Sequence, residues 1–298
     1  MLIDTHSHLD FPDFAGDLDA VLARADSAGV ARVITIGTSL EGSRRAIAIA
    51  EKYPRVFAVV GVHPNSASEA PEDFVSSLRE LARHPKVVAI GETGLDYHRL
   101  PGMRLERTIA AEEALGCETA ADVQAALADG AQKALQASVF EQHLDLAAEL
   151  GLNVVIHERD AWDDTLALLK PYAGRLRAVF HCFGKSLRHA RQLLDDGHLV
   201  SFTGLVTFKN ARDAHATAAQ IPGDSFMVET DCPFLAPAPF RGKRCEPAHT
   251  RHIAERIALL RSESLESVAG SATANAEAFF RLPREIEQTP CAPVDARL

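Results

Sequence analysis

The sequence contains few cysteines, and none is paired in a way that binds zinc or builds a disulfide framework. The five cysteines are odd in number and widely spaced, and no two of them form a C-x-x-C motif. This usage argues against both a disulfide-stapled fold and a thiolate zinc site. We therefore expect a reducing compartment, the cytoplasm.

The N-terminal segment lacks the residue pattern of a signal peptide, and the chain lacks an excess of positive charge. MLIDTHSHLD has no cationic segment followed by an apolar run, so we expect no membrane association. The net charge of −10 has the wrong sign for a protein that coats nucleic acid. Metal ions or a small basic rim must then hold any phosphate-bearing substrate, and no obligatory protein partner is indicated.

Aromatic residues are scarce as well, yet the chain can bury one large core, because 47% of its 298 residues are hydrophobic. Short apolar runs rich in β-branched residues alternate with segments of helical spacing, which predicts a single-domain α/β fold, a (β/α)8 TIM barrel. The eight runs are Leu2–Asp4, Arg32–Ile36, Val56–Val60, Val87–Ile90, Asn153–Ile156, Arg177–Phe180, Leu199–Phe202 and Phe226–Val228.

The connection between the fourth and fifth runs, about 60 residues, is longer than one loop and one helix require. Its first part is rich in Ala, Glu and Leu. We predict a helical insertion at about 104–134, on the face where the strands end. The barrel domain is predicted to span 1–283, with a C-terminal tail at 284–298.

Side chains that can bind a metal recur at the ends of the predicted strands. His6 and His8, two residues apart on an extended segment after the first run, can direct both imidazoles at one ion. A lone histidine in an apolar run is more often a core residue than a metal ligand. Several metal-binding side chains on the face where barrel enzymes do chemistry instead indicate a functional site. The others are His63 after the third run, Glu92 after the fourth, His157 after the fifth, His181 after the sixth, and Glu229 and Asp231 after the eighth.

The remaining histidines, apart from an ambiguous His98, lie in predicted helices or loops, and we assign them to the surface. They are His84, His143, His189, His198, His215, His249 and His252.

The motifs D-T-H-S-H-L-D, G-V-H-P, G-E-T-G-L-D-Y, V-I-H-E-R-D-A, H-C-F-G, E-T-D-C-P-F-L-A-P and R-G-K-R-x-E-P occur in this order. From Met1 to about Leu282 the chain thereby resembles the TatD family of metal-dependent deoxyribonucleases, although H-x-H alone is shared with the wider amidohydrolase superfamily. The resemblance implies a (β/α)8 barrel, two divalent metal ions and phosphodiester hydrolysis. By position it implies that His6, His8 and Asp231 bind one metal, Glu92 bridges, His157 and His181 bind the second, and His63 contacts the scissile phosphate.

The chain departs from the family pattern in two places. Cys245 stands where the family's basic loop usually has Asn, and the insertion is longer than usual. Neither departure replaces a predicted metal ligand.

The donor set also predicts a mechanism. A mixed set of imidazoles and carboxylates suits Zn, Mn, Co or Ni better than calcium, and Mg, Mn and Zn are our candidates for the two ions. Glu92 can bridge two cations that activate a shared water as hydroxide. Asp231 can then ligate the first cation and accept the proton. Glu229 is expected behind this site or on its phosphate side, with a buried ion pair as the alternative.

Basic residues in loops at the same face form a predicted rim that would hold a phosphodiester backbone, with an ordinary solvated surface as the alternative. Phe183, Phe208 and Phe240 lie near these charges and could stack bases, although loop phenylalanines more often pack inward. The predicted substrate-binding residues, besides His63, are Lys185, Lys209, Arg241, Lys243 and Arg244.

Three hypotheses for function follow. The first is an exonuclease that removes nucleotides from DNA ends, or a related phosphodiesterase. The second is an amidohydrolase-type enzyme that hydrolyses an amide, a lactone or an aminoacyl ester at the same metals, which an apolar pocket in place of the basic rim would favour. The third is a noncatalytic binding or scaffold protein, against which the complete ligand set argues.

Overall fold

Eight strands form one parallel sheet whose strand order follows the chain. The computed structural model describes residues 1–100 and 120–283. The strands are β1 (Leu2–Ser7), β2 (Val30–Ile36), β3 (Val56–Val60), β4 (Val87–Asp96), β5 (Val154–Arg159), β6 (Ala178–Phe180), β7 (Leu199–Phe202) and β8 (Phe226–Val228). The predicted (β/α)8 barrel is confirmed.

Helices alternate with these strands, as the helical spacing of apolar residues predicts. At the start of the second helix, for example, the Ser39 hydroxyl accepts a hydrogen bond from the Gly42 amide at 3.0 Å. None of the helices in the two described ranges is long and apolar enough to cross a membrane. They are α1 (Leu18–Ser27), α2 (Leu40–Lys52), α3 (Phe74–Leu81), α4 (Ala120–Leu150), α5 (Trp162–Leu169), α6 (Leu187–Asp195), α7 (Arg212–Gln220), α8 (Thr250–Arg261) and α9 (Leu265–Phe280).

Three strands run further than their apolar runs predict. β1 continues to Ser7, β4 to Asp96 and β5 to Arg159. Ladder partners continue past the apolar residues, with Ser7 paired to Thr35 and Thr93 to Ile156. The expectation that His6 and Glu92 follow their strands is therefore wrong, because both lie within them.

The barrel closes between β1 and β8 at the end where the strands finish. Ser7 and Cys232 form a parallel bridge, the Asp231 amide donates to the His6 carbonyl at 2.8 Å, and the His8 amide donates to the Cys232 carbonyl at 2.8 Å. These bonds join the segment that carries Asp231 to the segment that carries both histidines.

The opposite end of the barrel is filled by apolar side chains. An inner cluster, to which β1, β3 and β8 contribute Ile3, Phe57 and Met227, continues into Phe279 and Phe280 at the end of α9. A larger cluster packs between the strands and the helices. Apolar side chains, including those at the end of α9, therefore fill one end of the barrel, and polar side chains occupy the other.

Part of the predicted insertion, residues 120–134, is helical and continuous with the rest of α4. The Gln136 side chain accepts from the Asp96 amide at 2.9 Å and donates to the Asp96 carbonyl at 3.1 Å, so α4 is anchored to the end of β4. Residues 104–119 of the insertion and the predicted tail at 284–298 lie outside the described residues.

Two of the histidines that we assigned to the surface are buried, so that expectation is wrong for them. His143 accepts from the Val62 amide at 3.0 Å and contacts the Val139 carbonyl at 2.7 Å. His198 accepts from the Ala178 amide at 3.2 Å. A neutral imidazole offers one donor and one acceptor, so it can satisfy backbone groups inside the core.

Candidate metal centre

The six predicted metal ligands converge at the carboxyl end of the barrel. Together with those of His63, their donor atoms fall into three groups, in each of which all atoms lie within 4.8 Å of one another. The groups are His6 with His8 and Asp231, His6 with Glu92 and His181, and His63 with Glu92 and His157.

The Glu92 carboxylate stands between two sets of imidazoles. Its Oε2 lies 3.3 Å from Nε2 of His6 and 3.8 Å from Nε2 of His8. Its Oε1 lies 2.9 Å from Nδ1 of His157 and 2.8 Å from Nε2 of His181. Each oxygen thus faces a different set of imidazoles.

Buried polar atoms without hydrogen bonds test whether this site fits a metal. Nε2 of His6 and Oε2 of Glu92 are both buried, and neither has a hydrogen-bond partner within residues 1–100 and 120–283. Leaving such atoms unsatisfied costs about 1–3 kcal/mol each. A divalent cation would satisfy both, and imidazole with carboxylate is a donor set typical of Zn and Mn sites.

Hydrogen bonds behind the site control which ring nitrogens are free to bind a metal. His8 contacts the Ile36 carbonyl through Nδ1 at 3.2 Å, so Nδ1 carries the proton and Nε2 has the lone pair. His157 contacts Oδ2 of Asp96 through Nε2 at 3.3 Å, which leaves its Nδ1 free. In both rings the free nitrogen is the one that faces the carboxylates of the site.

Asp96 is a site residue that the sequence reasoning missed, although it lies in the quoted motif G-E-T-G-L-D-Y. It also accepts hydrogen bonds from the Asn65 side chain at 3.1 Å and from the His98 amide at 2.9 Å. Burial raises its pKa, but these bonds and His157 outweigh burial and lower the pKa to about 2. Asp96 is therefore an ionised carboxylate that orients His157.

Glu229 lies behind His181, one of the two positions expected for it. Its Oε1 accepts from the Cys182 amide at 2.7 Å and lies 3.5 Å from Nδ1 of His181, and its Oε2 accepts from Thr5 at 3.4 Å. Burial lowers the pKa of His181, but Glu92 and Glu229 outweigh burial and raise it well above the usual value. The negative potential that holds a proton on His181 would equally favour a cation.

The carboxylates of the site are ionised for the complementary reason. Burial raises the pKa of Glu92, but His181, His63 and His6 outweigh burial and lower it well below its usual value. Burial raises the pKa of Asp231 too, and its neighbour His8 reverses the effect.

His63 directs its Nε2 toward the second set of donors, 3.5 Å from Oε1 of Glu92 and 3.3 Å from Nδ1 of His157. Its Nδ1 accepts from the Asn65 amide at 3.0 Å. Burial lowers the pKa of His63 to about 3, so the ring is neutral. A neutral ring that accepts at Nδ1 carries its proton at Nε2, and His63 therefore presents an N–H donor to the site.

Two glycines let β4 come close enough to β5 to place Glu92. Gly91 and Gly94 have φ angles of 140° and 137°, outside the range that other residues adopt easily. A Cβ at Gly91 would lie 2.6 Å from the Val155 carbonyl oxygen, and one at Gly94 would overlap the His157 carbonyl oxygen. The motif G-E-T-G thus sets the distance between two ligand-bearing strands.

Some residues of the predicted basic rim are exposed, and others form ion pairs with acidic side chains. Lys209, Arg241 and Lys243 are exposed, and the guanidinium of Arg241 lies 4.0 Å from the ring centre of Phe208. Lys185 pairs with Glu158 at 3.1 Å, and Arg244 pairs with both Asp17 and Glu246.

The aromatic residues expected near this rim lie in different environments. Phe183 is buried, and Phe240 stacks on His249 at 4.3 Å.

Cys245, which stands where the family's basic loop usually has Asn, is buried, and its amide donates to the Pro233 carbonyl at 3.0 Å. The substrate contacts of the rim stay a prediction.

Comparison with known proteins identifies relatives that match the chain over nearly its whole length. The family model of TatD-related DNases matches residues 3–281. The chain is 37% identical to an uncharacterized metal-dependent hydrolase, YabD, of Bacillus subtilis, covering 95% of this chain and 100% of the relative. It is 34% identical to a protein of Enterobacter lignolyticus named 3'-5' ssDNA/RNA exonuclease TatD, covering 94% of this chain and 98% of the relative. The crystal structure of YjjV, a TatD homologue of Escherichia coli, superposes with a TM-score of 0.79 at 29% identity and covers 95% of this chain and 98% of that chain.

Proposed function

The chain belongs to the family of TatD-related DNases and is a metal-dependent hydrolase, and from this premise we propose that it removes nucleotides from the ends of single-stranded nucleic acid. The observation that carries the proposal is the Glu92 carboxylate, whose two oxygens face two separate sets of donors. Two divalent ions, with Mg, Mn and Zn as candidates, are part of the proposal, and so is a cytoplasmic location.

The cations and three side chains would divide the chemistry. When bound, two divalent cations would lower the pKa of the attacking water and offset the charge on the phosphoryl oxygens. Asp231, ionised in its ring of imidazoles, accepts the proton from that water. Glu92 connects the two sets of donors, because one of its oxygens faces each set. His63 donates its Nε2–H to a nonbridging phosphate oxygen, and that bond strengthens as charge builds in the transition state.

Two features favour a phosphodiester over an amide, a lactone or an aminoacyl ester. His63 offers an N–H donor beside the metal donors, and exposed cations lie in the loops after β7 and β8. Lys209, Arg241 and Lys243 would contact the nucleic acid backbone without reading its sequence. On a chain with net charge −10, these cations give the electrostatic attraction a location.

The test is an assay of the purified full chain, supplemented in turn with Mg, Mn and Zn. The substrates are 5′-labelled single-stranded DNA and RNA, bis-p-nitrophenyl phosphate and an aminoacyl ester. We expect metal-dependent shortening of the oligonucleotides that Asp231→Asn abolishes. Asp145→Asn is the matched control, because Asp145 accepts a hydrogen bond from Tyr172 and lies outside the site. Hydrolysis of the aminoacyl ester without any cleavage of phosphodiesters would reject the proposal.

A further inference from the structure

One exposed aromatic side chain lies beside the metal centre. In residues 1–100 and 120–283, five large hydrophobic side chains are exposed, and Phe234, which is 51% exposed, is the only aromatic one. It follows Asp231 by three residues in the motif E-T-D-C-P-F. The half-exposed ring therefore offers a flat apolar face to a ligand beside the metal centre.

The ring belongs to a run of aromatic groups that starts at a predicted metal ligand. His8 and Phe11 stack with their centres 4.8 Å apart and an angle of 24° between the planes. Phe234 packs edge-on against both, 5.9 Å from Phe11 and 6.3 Å from His8. Its neighbours thus hold the Phe234 ring next to the reaction centre while leaving half of it accessible.

The turn that carries Phe234 is held in place on both sides. The Phe234 amide donates to the Asp231 carbonyl at 3.0 Å, and the Pro233 carbonyl accepts from the Cys245 amide at 3.0 Å. Gly204 packs so closely on the Leu235 carbonyl that a side chain there would overlap it. Because the turn is already ordered, a ligand that covers the ring would cost little conformational entropy.

We propose that Phe234, backed by Phe11, stacks on the nucleobase of the nucleotide next to the scissile phosphate. An unpaired base presents a flat apolar face of the size of this ring, and stacking of this kind tolerates any base sequence. The exposed cations Arg241 and Lys243 follow in the same connection between β8 and α8 and suit the phosphates on either side. The proposal rests on the proposed function and names the group that a terminal nucleotide contributes to binding.

The experiment compares substrates with and without the base. Single-stranded oligonucleotides carry either a normal nucleotide or a tetrahydrofuran abasic analogue at the 3′ end, and a second pair carries the same change at the 5′ end. The metal-loaded full chain is assayed as wild type and as Phe234→Ala, Phe234→Leu and Phe234→Tyr. Leu259→Ala, at a 74% exposed position on α8, is the matched control for loss of an exposed apolar side chain.

We expect the wild type to prefer the normal end of one pair by about tenfold in kcat/KM, the range typical of one stacked base. Phe234→Ala should lose this preference, mainly through KM, and should cleave the abasic end as well as wild type does. Tyrosine should restore the preference, whereas leucine should not.

Equal losses on normal and abasic ends, or unchanged preference in Phe234→Ala, would overturn the stacking role while leaving the nuclease activity in place. Absence of cleavage of every oligonucleotide by the wild type would instead reject the proposed function, and the stacking role with it.

Discussion

Replacing Asp96 by Asn should weaken metal binding at the set that contains His157, although Asp96 is not itself a predicted ligand. Its Oδ2 lies 3.3 Å from Nε2 of His157 and accepts from Asn65, and its Oδ1 accepts from the His98 amide. Every neighbour of this carboxylate thus donates to it. An amide has one oxygen and one NH2 group, so in either orientation the NH2 would face a donor.

The size of the effect follows from what Asp96 does for the ring. It keeps the proton at Nε2 of His157, which frees Nδ1 toward Glu92 at 2.9 Å. Loss of such an orienting carboxylate typically costs about 10–100-fold in metal affinity or activity, or about 1.4–2.7 kcal/mol. We expect the Asp96→Asn chain to fold, to keep the metal held by His6, His8 and Asp231, and to bind the other ion about 10–100-fold more weakly.

Isothermal titration of the metal-stripped protein with Mn or Zn would measure both affinities. Asp164→Asn is a matched control, because Asp164 accepts from the Tyr97 hydroxyl at 2.8 Å in the adjoining region without contacting a predicted ligand. Two unchanged affinities in Asp96→Asn would refute the argument that Asp96 orients His157. Loss of both ions in equal measure would show that it supports the whole site rather than one ring.

Four further changes test the roles of the site residues and of the insertion. Glu92→Ala should lower the content of both metals in elemental analysis, because each carboxylate oxygen faces one set of donors. His157→Ala should empty mainly one site. Two tightly bound metals in Glu92→Ala would contradict the bridging role of Glu92. His63→Ala should keep its metals while kcat falls about 100-fold, and a lost metal would make His63 a ligand. Deletion of 104–134 with a short linker stops before the anchor at Gln136, so the protein should unfold cooperatively and cleave with altered length preference; a broad, noncooperative transition would assign the segment to the core.

Apolar patterning predicted the order of the barrel strands because each strand is buried on both faces. The bounds of β3 and β8 agree with their apolar runs, Val56–Val60 and Phe226–Val228. The pattern failed at the ends of β1, β4 and β5, where the ladder continues through polar residues. Backbone hydrogen bonds do not depend on the polarity of the side chain, so hydrophobicity alone could not locate those ends.

The segment before β5 shows a second limit of patterning. We predicted a helical insertion at about 104–134, but residues 120–150 form one helix that continues past the predicted end of the insertion. Alanine has a high helix propensity, and this segment is rich in alanine along its whole length. Its sequence pattern therefore does not show where an insertion would end and the next helix would begin. The anchor of this helix is a pair of hydrogen bonds between Gln136 and the backbone of Asp96, a long-range contact that spacing does not reveal.

Within the site, what the sequence could predict depended on whether a residue's role is set by its own strand or by its neighbours. Each predicted ligand lies one to four residues after the end of an apolar run, and the barrel brings those positions to one face. Asp96 and Glu229 act on imidazoles of other strands, His157 and His181, across distances that only the closed barrel defines.

The contacts behind the imidazoles also suggest a difference between the two halves of the site. His8 is backed by the neutral carbonyl of Ile36, and Asp231 supplies a charge directly beside it. His157 and His181 both face the carboxylate of Glu92, and Asp96 and Glu229 stand behind them. A carboxylate behind an imidazole makes the ring a more basic ligand. Asp231 belongs to the set of His6 and His8, whereas Asp96 and Glu229 supply negative charge to the other set from behind its imidazoles. Mutation of Asp96 should therefore weaken one metal affinity more than the other.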